Sequence, residues 1–214
     1  MLKAVFAIAM MSVWVAPAAA DDFSAVATGY RFGGWPDFVV GSQFADHQPV
    51  YGHGLTFDYS FGKTVRHWNV GLVFASMLTS PGYWRAEGTA VDEAVYLETP
   101  LDFAGLYAAH RWVFDLGAGF SFLPAVGGGL LYILGDAHTT ELIPGCEGKV
   151  TSCGRWREVS REPVEFVSRL MPAVVLTASF SYAITDSTAI MVDTGFINMP
   201  FAGISVQQQL GFLE

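Results

Sequence analysis

The sequence predicts an all-β protein, an eight-stranded antiparallel up-and-down transmembrane β-barrel, on three observations. The chain is too poor in charge to coat a water-facing surface. Apolar and polar residues alternate with a two-residue period in successive segments. The links between those segments are alternately long and short.

Charged residues make up 14 % of the 214 residues, 52 % are hydrophobic, and mean hydropathy is positive. Soluble domains carry about 25 % charged residues, so this chain sits in lipid or hides most of its surface. A net charge of −9, without a basic stripe interleaved with aromatics, argues against nucleic acid as a partner. Helices fare poorly in the most apolar stretch, residues 113–135. It carries Pro124 and Gly117, Gly119, Gly127, Gly128, Gly129 and Gly135. In a helix interior Gly costs about 1 kcal/mol relative to Ala, and Pro about 3.

At the start, Lys3, an apolar run to Val15, and Ala16-Pro17-Ala18-Ala19-Ala20 before Asp21-Asp22 read as a secretory signal peptide over residues 1–20. The apolar run is shorter than the ~20 residues of a spanning helix. Residues 21–214 are then the barrel domain.

Barrel strands alternate apolar toward lipid and polar or small toward the lumen. Residues 24–34 set Val26, Thr28, Tyr30 and Phe32 against Ala25, Ala27, Gly29 and Arg31. Residues 54–62 set Leu55, Phe57, Tyr59 and Phe61 against Thr56, Asp58 and Ser60. Residues 69–78 set Val70, Leu72 and Phe74 against Asn69, Gly71 and Ala75. Residues 95–110 put Val95, Leu97, Leu101, Phe103 and Tyr107 outward and Glu98, Asp102, Ala104 and His110 inward. Residues 114–122 set Leu116, Phe120 and Phe122 against Asp115, Gly117, Gly119 and Ser121. Residues 170–184 set Leu170, Val174, Leu176, Phe180, Tyr182 and Ile184 against Thr177, Ser179 and Ser181. Residues 188–196 set Ile190, Val192 and Phe196 against Asp193 and Gly195. Last, Ile204, Val206, Leu210 and Phe212 oppose Ser205, Gln207, Gln209 and Gly211, with Gln208 interrupting the apolar row.

Short links fall at residues 63–68, 110–113 and 185–187; long ones fall at 36–51, 79–92 and 137–163, with a shorter one at 198–202. Short turns on one side and long loops on the other suit a membrane barrel. Residues 114–136 read as one long bulged strand pairing with residues 163–184. A turn at Leu123-Pro124-Ala125 is the alternative, and it would add a ninth strand. Cys146 and Cys153, an even count at short spacing, suggest a disulfide clamping the tip of the longest loop; zinc is the rival, without further ligands nearby. Trp35, Tyr51, Trp84 and Tyr96 fall where an outer aromatic girdle would lie, and Tyr59, Trp68, Trp112 and Tyr182 where an inner one would.

The pattern resembles the small outer-membrane barrels of the OmpA/OmpX type, most clearly in the hairpin 182–190 and in the final strand ending at Phe212. That resemblance implies the outer membrane of a Gram-negative bacterium, its lipids, and the barrel-assembly machinery as partners. It also marks Phe212, backed by Leu210, as the assembly signal, although Leu213 and Glu214 follow it. No cofactor and no metal are expected.

The candidate site is a polar network in the lumen: Arg31, Asp58, Glu98, Asp102, Asp115, Arg169, Asp193, Gln207 and Gln209. An eight-stranded barrel is just wide enough for side chains to fill, so these residues read as a plug whose arginines pair with the acids. The expected function is non-enzymatic, a structural, adhesive or binding barrel. The loop 137–163 is the expected surface for a ligand, and its Arg155, Arg157 and Arg161 are offset by Glu141, Glu147, Glu158 and Glu162. Two alternatives stand beside it. One is a lipid-modifying enzyme with a rim site, for which Ser42, Asp46 and His47 are imaginable; His53 and His138 also fall in outer loops, and His67 and His110 near turns. The other is a soluble periplasmic lipocalin-like binder.

Overall fold

The computed structural model describes residues 22–98, 100–160 and 169–210. The signal peptide expected over residues 1–20, Phe212 and Arg161 lie outside the described residues. Eight strands form a wall: β1 (Asp22–Trp35), β2 (Val50–Lys63), β3 (Arg66–Leu78), β4 (Pro100–Trp112), β5 (Phe120–Leu134), β6 (Leu170–Ala183), β7 (Thr188–Ile197) and β8 (Pro200–Gln209). Each pairs antiparallel with the next, and β8 pairs with β1, so the sheet closes on itself. Closure leaves no open edge, the condition for a sheet in lipid.

The register defines the shape. From Tyr30 one row of partners runs through Leu55, Phe74, Ala104 and Tyr132 to Leu170 on β6. In the other direction it runs through Ile204 and Val192 to Phe180, ten residues further along the same strand. A stagger of ten over eight strands corresponds to a tilt of about 41° and a backbone radius of about 8 Å, at roughly 3.3 Å per residue and 4.8 Å between strands.

The alternation read from the sequence sorts the two faces on seven of the eight strands. Leu176, Phe180, Val192 and Ile204 stand outside, each about half exposed, while Thr56, Ser179, Asp193 and Ser205 are buried within. Hydrophobic side chains therefore cover the exterior and many polar ones fill the interior, the reverse of a soluble barrel. Gln208 does lie in the outward row, at the turn end of the wall, where it accepts a hydrogen bond from Thr188 Oγ1 at 2.8 Å.

Strand β4 overturns the reading of residues 95–110. Tyr107 points into the lumen and is 4 % exposed, with Ala109 and Arg111 buried on the same side. Asp102, Leu106 and Ala108 point outward, and Leu101 and Phe103 point inward. Period-two alternation reports two faces but not which one faces lipid; here apolar residues occupy both.

The link after β4 is also corrected. The chain does not turn at residues 110–113. It breaks at Val113, whose N–H donates to Val65 O, continues through Phe114–Gly117 and turns at Ala118-Gly119. Gly117, Ala118 and Gly119 all have positive φ, near +80°, +51° and +80°, a run in which two glycines relieve the strain. Residues 114–136 are thus not one strand, and Leu123-Pro124-Ala125 is not a turn: Pro124 sits within β5 and pairs with Ala178. On its other side the ladder to β4 is interrupted between Arg111↔Ala125 and Phe114↔Phe122, so the missing N–H falls at the break.

The long connections gather at one end of the barrel, here the loop end. They form a five-stranded sheet in the order Arg155–Ser160, His138–Leu142, Val95–Glu98, Gly82–Ala86 and Phe44–Asp46. Glu98↔His138 keeps the register of Asp102↔Leu134, so the β4–β5 ladder runs on into this sheet. A small core of Ala94, Leu142, Val150 and Cys153 supports it, and Cys146 and Cys153 form the disulfide. Trp84 and Tyr96 belong to this sheet rather than to a girdle: Trp84 meets Phe44 and Tyr96 meets Tyr83. At the turn end, Trp68 and Trp112 flank the outward His110.

Candidate functional site in the barrel lumen

The lumen has two halves. Polar groups from β1, β2, β3, β6, β7 and β8 make interstrand hydrogen bonds. Asp193 accepts from Ser179 Oγ at 2.5 Å and from Ser205 Oγ at 2.6 Å, joining β6, β7 and β8. Asn69 Nδ2 donates to Ser60 Oγ at 3.4 Å. At the centre Tyr107 donates to Asp58 Oδ1, while Arg31 Nη2 reaches Tyr107 at 3.4 Å and Asp58 Oδ2 at 3.9 Å. Gly71 makes room for this contact, since a Cβ there would fall on Asp58 Oδ1 and the Tyr107 ring.

The other half is apolar. Val73, Tyr107, Ala109, Ala125, Leu131, Ala173 and Val175 pack together across β3, β4, β5 and β6. Toward the loop end this lining widens into a cavity of about 300 Å³, with Arg31 and Phe201 in its wall and Trp35, Met77 and Met199 around it. The Arg31 guanidinium lies 4.5 Å from the Phe201 ring centroid.

Of the residues expected in the network, Arg31, Asp58 and Asp193 are buried in the lumen, and Gln207 is half-buried on the same face. Gln209 ends the inward row, exposed, its N–H on Ser187 O. Four others are elsewhere. Glu98 is exposed in the loop sheet, and Asp102 is on the outer face against Ser76. Asp115 accepts from Gly117 N–H in the turn extension, and Arg169 pairs with Asp136 at 3.7 Å at the exposed loop end. Sequence reasoning missed Tyr107, Arg111 and His67, all buried inside. Counting back by twos from Arg111 would have found Tyr107.

The rim set imagined from Ser42, Asp46 and His47 does not assemble. Ser42 donates to Val39 O, Asp46 binds Arg85 at 2.6 Å, and His47 lies 3.7 Å from Asp37. A different row does form on the outer wall: His53 pairs across from Ser76, Ser76 across from Asp102, and Ser76 Oγ donates to Asp102 Oδ1 at 2.6 Å. Among the described residues no cluster of three or more His, Cys, Asp or Glu is arranged to hold a metal.

A closed, eight-stranded antiparallel barrel with an apolar exterior and buried polar side chains within is the architecture of the small outer-membrane barrels. Among solved structures the chain is similar to Neisserial surface protein A, at 11 % identity and a TM-score of 0.45, covering 89 % of this chain and 97 % of that one. It is similar to Ail of Yersinia pestis, solved with the heparin analogue sucrose octasulfate, at 12 % identity, TM-score 0.45, and 89 % and 100 % coverage. A de novo designed transmembrane β-barrel matches at 9 % identity, TM-score 0.39, and 92 % and 100 % coverage. These likenesses concern the fold alone. No protein-family model matches the chain, and no curated protein sequence does.

Proposed function

We propose that this chain is an outer-membrane β-barrel of a Gram-negative bacterium that serves as a non-conducting scaffold, presenting its loop sheet outside the cell for structural, adhesive or binding roles. The observation that carries the reading is the inversion of the wall: half-exposed Leu106, Leu176, Phe180 and Val192 outside, buried Asp58, Asn69, Ser179 and Asp193 inside. Apolar side chains in a continuous outer belt belong in hydrocarbon, and interstrand hydrogen bonds across a narrow bore leave little room for ions. Its partners are then membrane lipids and the barrel-assembly machinery, the latter meeting the final strand and Leu210 just after it. The loop sheet offers Trp156, 59 % exposed, as an anchor of the kind that dominates protein interfaces. Two of its arginines are already engaged, Arg157 with Glu141 at 3.5 Å and Arg155 over Tyr96, so these two are weaker phosphate ligands than their charge suggests. The test is extraction and conductance together. The protein should stay in the outer-membrane fraction after a carbonate wash, migrate differently on gels with and without heating, and give no steady current in planar bilayers. Release by carbonate would refute the membrane reading, and stable channels would refute the plug.

One observation favours a second reading, acyl-ester hydrolysis at the outer rim. Ser76, with Asp102 hydrogen-bonded to it and His53 opposite in the strand register, forms a polar row on a wall that is mostly apolar. A hydroxyl bonded to a carboxylate, with an imidazole on the neighbouring strand, supplies the residue types from which nucleophilic catalysis is built. Purified protein mixed with phospholipid vesicles would release free fatty acid, and Ser76→Ala would stop it; no release by the wild type removes this reading.

A further inference from the structure

We infer that the loop-end cavity of the lumen binds a medium-chain fatty carboxylate, its head on Arg31 and its chain along Phe103, Ile133, Met171 and Met199. This site is separate from the scaffold reading and would stand or fall on its own.

Three observations lead there. The hydrogen bonds of Asp58, Tyr107 and Asp193 cross the bore, and toward the loop end the lumen keeps a cavity of about 300 Å³, the lower end of the range of small-molecule sites. Its lining is overwhelmingly apolar, and water is poorly held where it finds few polar partners. Met77, Met171 and Met199 border it, and methionine adapts to irregular apolar shapes.

The floor then selects the head group. Arg31 is 8 % exposed, and its Nε and Nη1 have no hydrogen-bond partner among the described residues. The acid nearest to it, Asp58, gives one oxygen to Tyr107 and meets Arg31 only at 3.9 Å, so the guanidinium is incompletely matched. Buried donors of this kind are normally satisfied, and a carboxylate matches the guanidinium fork with two parallel bonds. An apolar cup with an under-partnered cation in its wall therefore suits a chain with a planar anionic end.

The experiment uses the full chain, folded and held in amphipol, with protein-free amphipol as the blank, and measures saturable binding of radiolabelled decanoate and decanol. Decanoate should bind at one per chain, with decanol at least about tenfold weaker, the ratio expected for a hydrogen bond to a charged group. Arg31→Met should bring decanoate down to the level of decanol. Ala75→Phe, which fills the cavity from β3, should abolish both. Binding by the wild type no greater than the blank would overturn the inference, as would binding that Ala75→Phe leaves unchanged. Equal affinity for the two probes would overturn the role of Arg31. If Arg31→Met fails to show the folded migration on unheated gels, the decanoate-to-decanol ratio and Ala75→Phe still decide.

Discussion

Replacing Tyr107 by phenylalanine removes one oxygen atom from the lumen and leaves the ring that packs against Val73 and Leu131. The hydroxyl donates to Asp58 Oδ1 and lies 3.4 Å from Arg31 Nη2, and Tyr107 and Asp58 are 4 % and 7 % exposed. A hydrogen bond to a charged group contributes about 1.5–3 kcal/mol net. The remaining partner, Arg31, is 3.9 Å from the other carboxylate oxygen, beyond a direct hydrogen bond, so the loss falls in the upper part of that range. We expect Tyr107→Phe to cost about 2–3 kcal/mol. Equilibrium urea unfolding in lipid vesicles, followed by tryptophan fluorescence and by the fraction migrating as folded on unheated gels, measures it. A double-mutant cycle with Asp58→Asn isolates the pair, and the double variant should lose less than the sum by about 1 kcal/mol or more. A Tyr107→Phe protein within about 0.5 kcal/mol of wild type, or a strictly additive cycle, would refute the account of the network as a strut between β2 and β4.

Three further outcomes follow from the same geometry. Leu176→Arg, at a half-exposed outward site on β6, should cost about 2–4 kcal/mol in vesicle unfolding, whereas on a water-facing wall it would be nearly neutral; a neutral result places that face in water. Gly71→Ala should cost at least about 1–3 kcal/mol, because its methyl must displace Asp58 or Tyr107; the same unfolding curve checks it, and no change would mean that the pair is not seated there. Joint replacement of Cys146 and Cys153 by serine opens a loop with a sequence separation of 7 and forfeits at most about 2.5 kcal/mol of chain-entropy stabilisation. That loss should appear as faster proteolysis in the loop sheet with the barrel's unfolding midpoint unmoved; a lowered midpoint would show that the two are coupled.

Much of the wall was legible because a closed barrel in lipid imposes a strict period on both of its faces. In 170–184 and 188–196, large apolar residues alternate with Ser, Thr, Gly and Asp, and the structure pairs them as expected. The turn at Ala118-Gly119 was harder to read. Glycines also crowd Gly127 to Gly129 within β5, so their positions along the sequence do not tell a reversal from a strand. The loop sheet was hidden for a different reason: its strands are short, 3 to 6 residues, and belong to three connections that are distant in sequence. Only Val95–Glu98 reads as running on with β4, because its alternation continues across residue 99; nothing local shows which other short segments it pairs with.

The misreading of β4 has the most physical content. Alternation separates two faces, and the choice between them rests on finding the polar one inside. On this strand Leu101 and Phe103 face inward at the loop end, Tyr107 and Arg111 face inward further down, and Asp102 faces out beside Ser76. A lumen lined only to be plugged would have no use for Leu101 and Phe103, whose apolar side chains gain nothing from a polar network. They fit instead a bore that changes character along its axis: crossed by hydrogen bonds between polar side chains further down, oily and open toward the loops. The strand that defied the simple pattern is therefore one of those that line the cavity, and Arg31 stands where the two regimes meet.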